Sequence, residues 1–157
     1  MRQSLLDHYM ELVQDIGKRS TCNRGMMGAI LVKDRRIIAT GYAGAPSGLP
    51  HCDEEGHQIW NKYDEAGKHT EHCVRTTHAE INAIIQCAKF GVSAEGADLY
   101  CTMFPCFDCA KAIINVGIQS VTSLYDYHAA DWSKDVLNEA GVKWDVINPG
   151  EVLRYTS

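Results

Sequence analysis

The sequence predicts an α/β fold, three layers in the order α/β/α with a five-stranded mixed sheet in the middle. Two observations predict it. From about residue 78 onward, segments of helical periodicity alternate with short apolar runs, an order that implies parallel strands joined by right-handed crossovers. Ahead of them, MGAILVKDRRIIATGY holds two apolar runs joined at the polar KDRR, which reads as a hairpin.

The first element is a helix, because Leu5, Tyr9, Leu12 and Ile16 recur at helical spacing and Gly17 follows as a stop. The hairpin comes next, then GYAGAPSGLP, too rich in Gly and Pro for regular structure. From His51 to Arg75 the chain is polar, with four histidines, two cysteines and no predicted element. A helix starts near His78 with Ile81, Ile84, Ile85 and Ala88 on its inner face, and ends at Phe90-Gly91. ADLYCT is a strand. The following helix begins near Cys106, with Ala110, Ile113, Ile114 and Gly117 facing inward. IQSVTSLY is a strand, SKDVLNEAG a helix stopping at Gly141, and VKWDVI a last short strand. No repeat interrupts this order, so residues 1–157 are expected to form a single domain.

A net charge of −5 without a basic stripe argues against a nucleic acid polymer as partner. No apolar run approaches the roughly 18 residues of a membrane span, and the first residues lack a signal-peptide core. The expectation is a soluble cytoplasmic protein, with no membrane partner. Seven cysteines, an odd number without a secretion signal, point to metal ligation ahead of disulfides.

Two motifs carry the chemistry. His78 and Glu80 open one helix in THAEIN, and Cys106 and Cys109 open the next in PCFDC. A helix N-terminus favours the thiolate form of cysteine. Two thiolates and one imidazole leave the fourth tetrahedral position of Zn²⁺ to water, the pattern of a catalytic zinc. Such a site makes water acidic enough to react near neutral pH, and Glu80 is placed to move the protons. A glutamate in the first turn of a helix is favourable by about 0.3–1 kcal/mol through the dipole alone, so neither motif decides alone. Jointly, His-x-Glu and Pro-Cys-x-x-Cys form the signature of zinc-dependent nucleobase deaminases.

On these residues the chain resembles the deoxycytidylate deaminases of the cytidine deaminase superfamily. The resemblance spans roughly residues 5 to 145 and rests on GAILVKDRRIIATGYAGAPSGLPHC, HCVRTTHAEINAI and TMFPCFDCAKAIINVGI. It implies the cytidine deaminase-like version of the predicted fold and hydrolysis of dCMP to dUMP and ammonia, supplying dUMP for thymidylate synthesis. Water activated at the zinc would attack C4 while Glu80 protonates N3 and then the departing amine. The resemblance also implies a homohexamer, activated by dCTP and inhibited by dTTP, with Mg²⁺ accompanying the effector. Tyr127 and His128 match where the family places substrate-contacting groups, and Arg24 and His128 are candidates for the phosphate. One departure stands out: the family loop Gly-Tyr-Asn-Gly has Ala43 in place of Asn, which puts sugar recognition or regulation in question.

A second, structural zinc is expected as well, as in some family members. A hairpin brings its flanks together, so Cys22 and Cys52 become neighbours, and His72-Cys73 can supply the remaining ligands. Cys87 and Cys101 fall inside regular elements and read as packing residues. Competing functions are another superfamily enzyme acting on cytidine or another nucleotide, a non-catalytic nucleotide-binding regulator, and a redox protein using Cys106 and Cys109.

Overall fold

The computed structural model describes residues 1–152; positions 153–157 of the expected domain lie outside the described residues. In chain order the elements are α1 (Leu5–Gly17), β1 (Gly28–Lys33), β2 (Arg36–Tyr42), α2 (Cys52–Glu55), β3 (Ile59–Tyr63), β4 (His69–Cys73) and α3 (Ala79–Phe90). They continue with β5 (Asp98–Met103), α4 (Phe107–Asn115), β6 (Ser120–Asp126), α5 (Asp131–Glu139) and β7 (Lys143–Val152).

The main sheet has five strands in the order β2-β1-β5-β6-β7, mixed as expected. β1 is antiparallel to both β2 and β5, while β5, β6 and β7 run parallel. The hairpin turns at Asp34 and Arg35, whose φ values of 51° and 63° are the positive values a type I′ two-residue hairpin loop demands at both central positions. The Tyr9 hydroxyl donates to the Arg35 carbonyl at 3.0 Å and ties that turn to α1.

Alternation along β1 separates the layers. Ile30 and Val32 pack with Tyr9 and Val13 of α1 on one face. Ala29 and Leu31 point the other way, into the larger core with Ala83, Ile113 and Leu137 of α3, α4 and α5. Because β1 is antiparallel to both its neighbours, β2 and β5 run in the same direction, and α3 is the crossover between them. Its N-terminus therefore lies at the same sheet edge as that of α4. This edge, at the C-terminal ends of the strands, is where open α/β sheets bind ligands.

Two helix faces differ from the periodicity. In α3 the buried residues are Ala79, Glu80, Ala83 and Cys87, whereas Ile85 is exposed and Ile81 and Ile84 are half-buried. The reason is close approach: a Cβ at Gly41 of β2 would stand 2.2 Å from the Ala79 carbonyl oxygen and 2.6 Å from the Ala83 nitrogen. Only small residues fit such a contact, so Ile81 and Ile84 flank it half-buried and Ile85 faces outward. In α1 the buried set is Tyr9, Met10, Val13 and Gly17, with Leu5 exposed. Gly17 lies inside the helix, against Gly28.

The polar segment after His51 is also more ordered than its composition predicts. It holds the short helix α2 and a separate two-stranded sheet of β3 and β4. Its residues are mostly exposed, so no apolar alternation announced the strands. Among the described residues, no helix is long and apolar enough to cross a membrane.

Candidate metal centres at one cavity

His78 and Cys106 are the N-cap residues of α3 and α4, both with extended backbone and neither side chain spent on capping. Both are free to face each other. The segment before His78 is fixed by a two-way pairing of Thr77 with Gly44 in the loop after β2. The His78 Nδ1 atom lies 3.4 Å from Cys106 Sγ and 3.3 Å from Cys109 Sγ. A tetrahedral zinc ion with ordinary bond lengths holds its nitrogen and sulfur ligands about 3.6 Å apart, so this trio fits one.

Glu80 is buried behind the trio, with its Oε2 3.9 Å from Cys109 Sγ. Burial raises its carboxyl above the usual carboxylate range. The trio shares protons unevenly. A hydrogen bond from Cys109, with further help from His78, lowers Cys106 to about 4, and the bond to Cys106 raises His78 to about 9. The Cys109 thiol is pushed up by that same bond and by burial. A cavity of about 460 Å³ opens above these groups, lined among others by Phe104, Phe107, Tyr127 and Trp132.

Comparison with known proteins turns this geometry into a family. Residues 3–124 match the cytidine and deoxycytidylate deaminase zinc-binding region. The chain belongs to the cytidine and deoxycytidylate deaminase family. It is 38% identical over 152 residues to ComE operon protein 2 of Bacillus subtilis, covering 97% of this chain and 76% of that protein. It is 34% identical over 142 residues to deoxycytidylate deaminase of Schizosaccharomyces pombe, covering 90% of this chain and 44% of the yeast one. Among solved structures, it is similar to the dCMP deaminase of cyanophage S-TIM5 in complex with dCMP and dUMP. There the TM-score is 0.74 at 32% identity, covering 93% of this chain and 98% of the phage one.

This deaminase also brings together a second group of donors: Cys22, Cys52, His57 and Cys73. Cys52 Sγ is 3.6 Å from Cys73 Sγ, and Cys22 Sγ is 3.5 Å from His57 Nδ1. Tetrahedral zinc would hold two sulfurs about 3.8 Å apart, so four closed ligands fit a structural ion. Burial lifts Cys52 to about 12 and raises Cys22. At Cys73 burial acts upward too, but amide and His57 hydrogen bonds outweigh it and bring the thiol to about 7.

His72, expected among these donors, is not one of the four that come together; His57 stands in its place. Successive strand side chains leave on opposite faces, so His72 in β4 turns away from the group that takes Cys73. Its Nε2 meets Thr70 Oγ1 at 3.0 Å, and it lines the cavity instead. Burial and nearby Lys62 lower its pKa.

The remaining candidates divide. Tyr127 is buried at the cavity wall, and burial pushes its hydroxyl up to about 12. Ala43 is buried and lines the same cavity. Arg24 also lines it, with its guanidinium donating to the Glu71 carbonyl at 3.1 Å. His128 is exposed and stands outside the lining, its ring edge-on to Tyr127. Lys62, Phe104 and Phe107 line the site without having been singled out in the sequence. The run of Phe104, Pro105, Cys106 and Phe107 in one motif was the available signal for the two aromatics. Cys87 and Cys101 are buried.

Proposed function

We propose that this deaminase hydrolyses dCMP to dUMP and ammonia, using zinc held by His78, Cys106 and Cys109. The observation that carries the reading is a buried glutamate, Glu80, beside that trio on the floor of a nucleotide-sized cavity. The substrate follows from the family and from the relatives' own names.

When bound, zinc supplies a Lewis acid that lowers the pKa of water. Glu80 accepts a proton from the attacking water and delivers it to N3 of the cytosine. It then carries the second proton to the exocyclic amine, which leaves as ammonia. Its burial suits both roles, because raising a carboxyl's pKa strengthens it as the base that accepts a proton from water and brings it nearer the operating pH, where it can also release one. Phe104 and Tyr127 offer apolar walls to the ring and sugar. Arg24, Lys62 and His72 supply positive or protonatable groups around the same cavity for a monophosphate.

We read residues 1–157 as one deaminase domain, in the cytoplasm, whose product supplies thymidylate synthesis. A second zinc at Cys22, Cys52, His57 and Cys73 is structural. The chain works as a homohexamer, activated by dCTP and inhibited by dTTP with Mg²⁺; the exposed Ile85 and Phe90 of α3 are apolar side chains available to subunit association. A second reading, action on another cytosine nucleotide or on cytidine, has Ala43 in its favour, since that position lacks the family's asparagine.

Ammonia release from dCMP by the zinc-loaded protein, with and without dCTP and Mg²⁺, tests this. Turnover that rises with dCTP supports substrate and control together. Turnover indifferent to dCTP supports the enzyme and overturns the control. No turnover with zinc bound overturns the dCMP assignment.

A further inference from the structure

The β3–β4 hairpin has no core of its own. Among the described residues it packs extensively against no other helix or strand, and Trp60 and Tyr63 are exposed. Its position must come from its attachments. At the base these are the donors His57 and Cys73, a hydrogen bond from Arg75 Nε to the Gly56 carbonyl, and the Arg24 contact to Glu71.

The tip is attached as well. The turn between the strands is preformed: the Asp64 side chain accepts from the Ala66 and Lys68 amides at 3.0 and 2.8 Å, and Asp64 and Lys68 pair through their backbones. This turn directs Glu65 across the cavity mouth to α5. Both carboxylate oxygens accept from the Trp132 amide, each at 3.1 Å. The helix needs that acceptor, because its own N-cap residue is Ala130, which has no side chain to offer. A carboxylate at a helix N-terminus is also favoured by the dipole. Lys62, Tyr63, Asp64 and Glu65 line one side of the cavity, and Phe107 and Trp132, in edge-to-face contact at 5.8 Å, line the other.

We propose that Glu65 is the latch that closes the hairpin over the cavity, a positioning residue that holds the nucleotide-contacting wall in place. The latch joins the wall bearing Lys62 to the helix that follows the Tyr127 loop. An unlatched hairpin leaves the cavity open on that side while the trio and Glu80 stay where the core puts them. Only the latched fraction presents the full wall, so losing the latch weakens apparent binding by that fraction and leaves saturated turnover alone.

The test compares the parent protein with Glu65→Ala and Glu65→Gln, by hydrogen exchange and by kinetics. Glu65→Ala is expected to speed amide exchange at Trp132 and across residues 59–73 and to raise KM for dCMP about two- to tenfold, with kcat nearly unchanged. Glu65→Gln keeps an acceptor without the charge and should fall between the two. Unchanged exchange at Trp132 and the hairpin in both variants overturns the latch. Faster exchange with unchanged KM overturns its positioning role. The kinetic arm rests on the dCMP reading, whereas the exchange arm needs no turnover, so an inactive parent protein would count against that reading and not against the latch.

Discussion

The two donor groups of this chain differ in what holds them. His78, Cys106 and Cys109 hang from the ends of α3 and α4, whose inner residues Ala79, Ala83, Ala110 and Ile113 are fully buried. Cys52, His57 and Cys73 hang from a short helix and a mostly exposed hairpin, joined by Cys22 in the loop before β1. In the first group the fold places the ligands. In the second, on the proposed structural zinc, the donors place the chain. A core of packed side chains holds its shape without an ion, but an insert too polar to bury a core needs one to offset its ordering entropy.

That contrast is sharpest where chemistry and structure are separated. Glu80→Gln should lower kcat about 10²–10⁴-fold while the protein keeps two zinc ions per chain and its thermal stability. Ammonia release and metal analysis check it; loss of zinc in this variant would mean that Glu80 is a ligand. Cys73→Ser should do the reverse to the insert, with metal falling from two ions to one and local protection of residues 52–73 dropping to almost nothing. Hydrogen exchange reads this directly, and protection that survives would show that the insert stands without its ion.

The histidines discriminate more finely. His57→Ala should cost one zinc per chain, whereas His72→Ala should keep both and raise KM for dCMP several-fold, the scale of one ordinary hydrogen bond lost. The reverse result would restore His72 to the metal group. The pH dependence of metal uptake tests the catalytic trio. Between about pH 5 and 8 the metal-free trio carries the Cys106 thiolate, the His78 imidazolium and the Cys109 thiol. Ligation requires a neutral imidazole and two thiolates, so binding expels two protons. Zinc affinity should therefore fall with falling pH, by about two log units per pH unit, in titrations against a competing chelator. The smallest effect is expected at Ala43: restoring asparagine should lower KM for dCMP by about two- to tenfold if the sugar lies there.

Motifs that are local in sequence survived translation into structure. The turn at KDRR, the alternation of helix and strand after residue 78, and the positions of His78, Glu80, Cys106 and Cys109 at helix starts all follow from short-range pattern. Cys-x-x-Cys spans one helical turn, and a histidine on the neighbouring crossover helix starts at the same sheet edge, so the trio was legible before any coordinates. The hairpin of the insert was not, because its strands have no apolar face to reveal them.

The sequence by itself thus determined the sheet's class and which histidine and cysteines meet at the helix starts. Tertiary structure alone decided which histidine joins Cys73 and which side of α3 is buried. The first depends on a strand whose successive side chains face opposite ways, sending His72 to the cavity and leaving the metal group to His57. The second depends on how closely α3 approaches Gly41, a contact between residues far apart in the chain that admits alanine and excludes isoleucine.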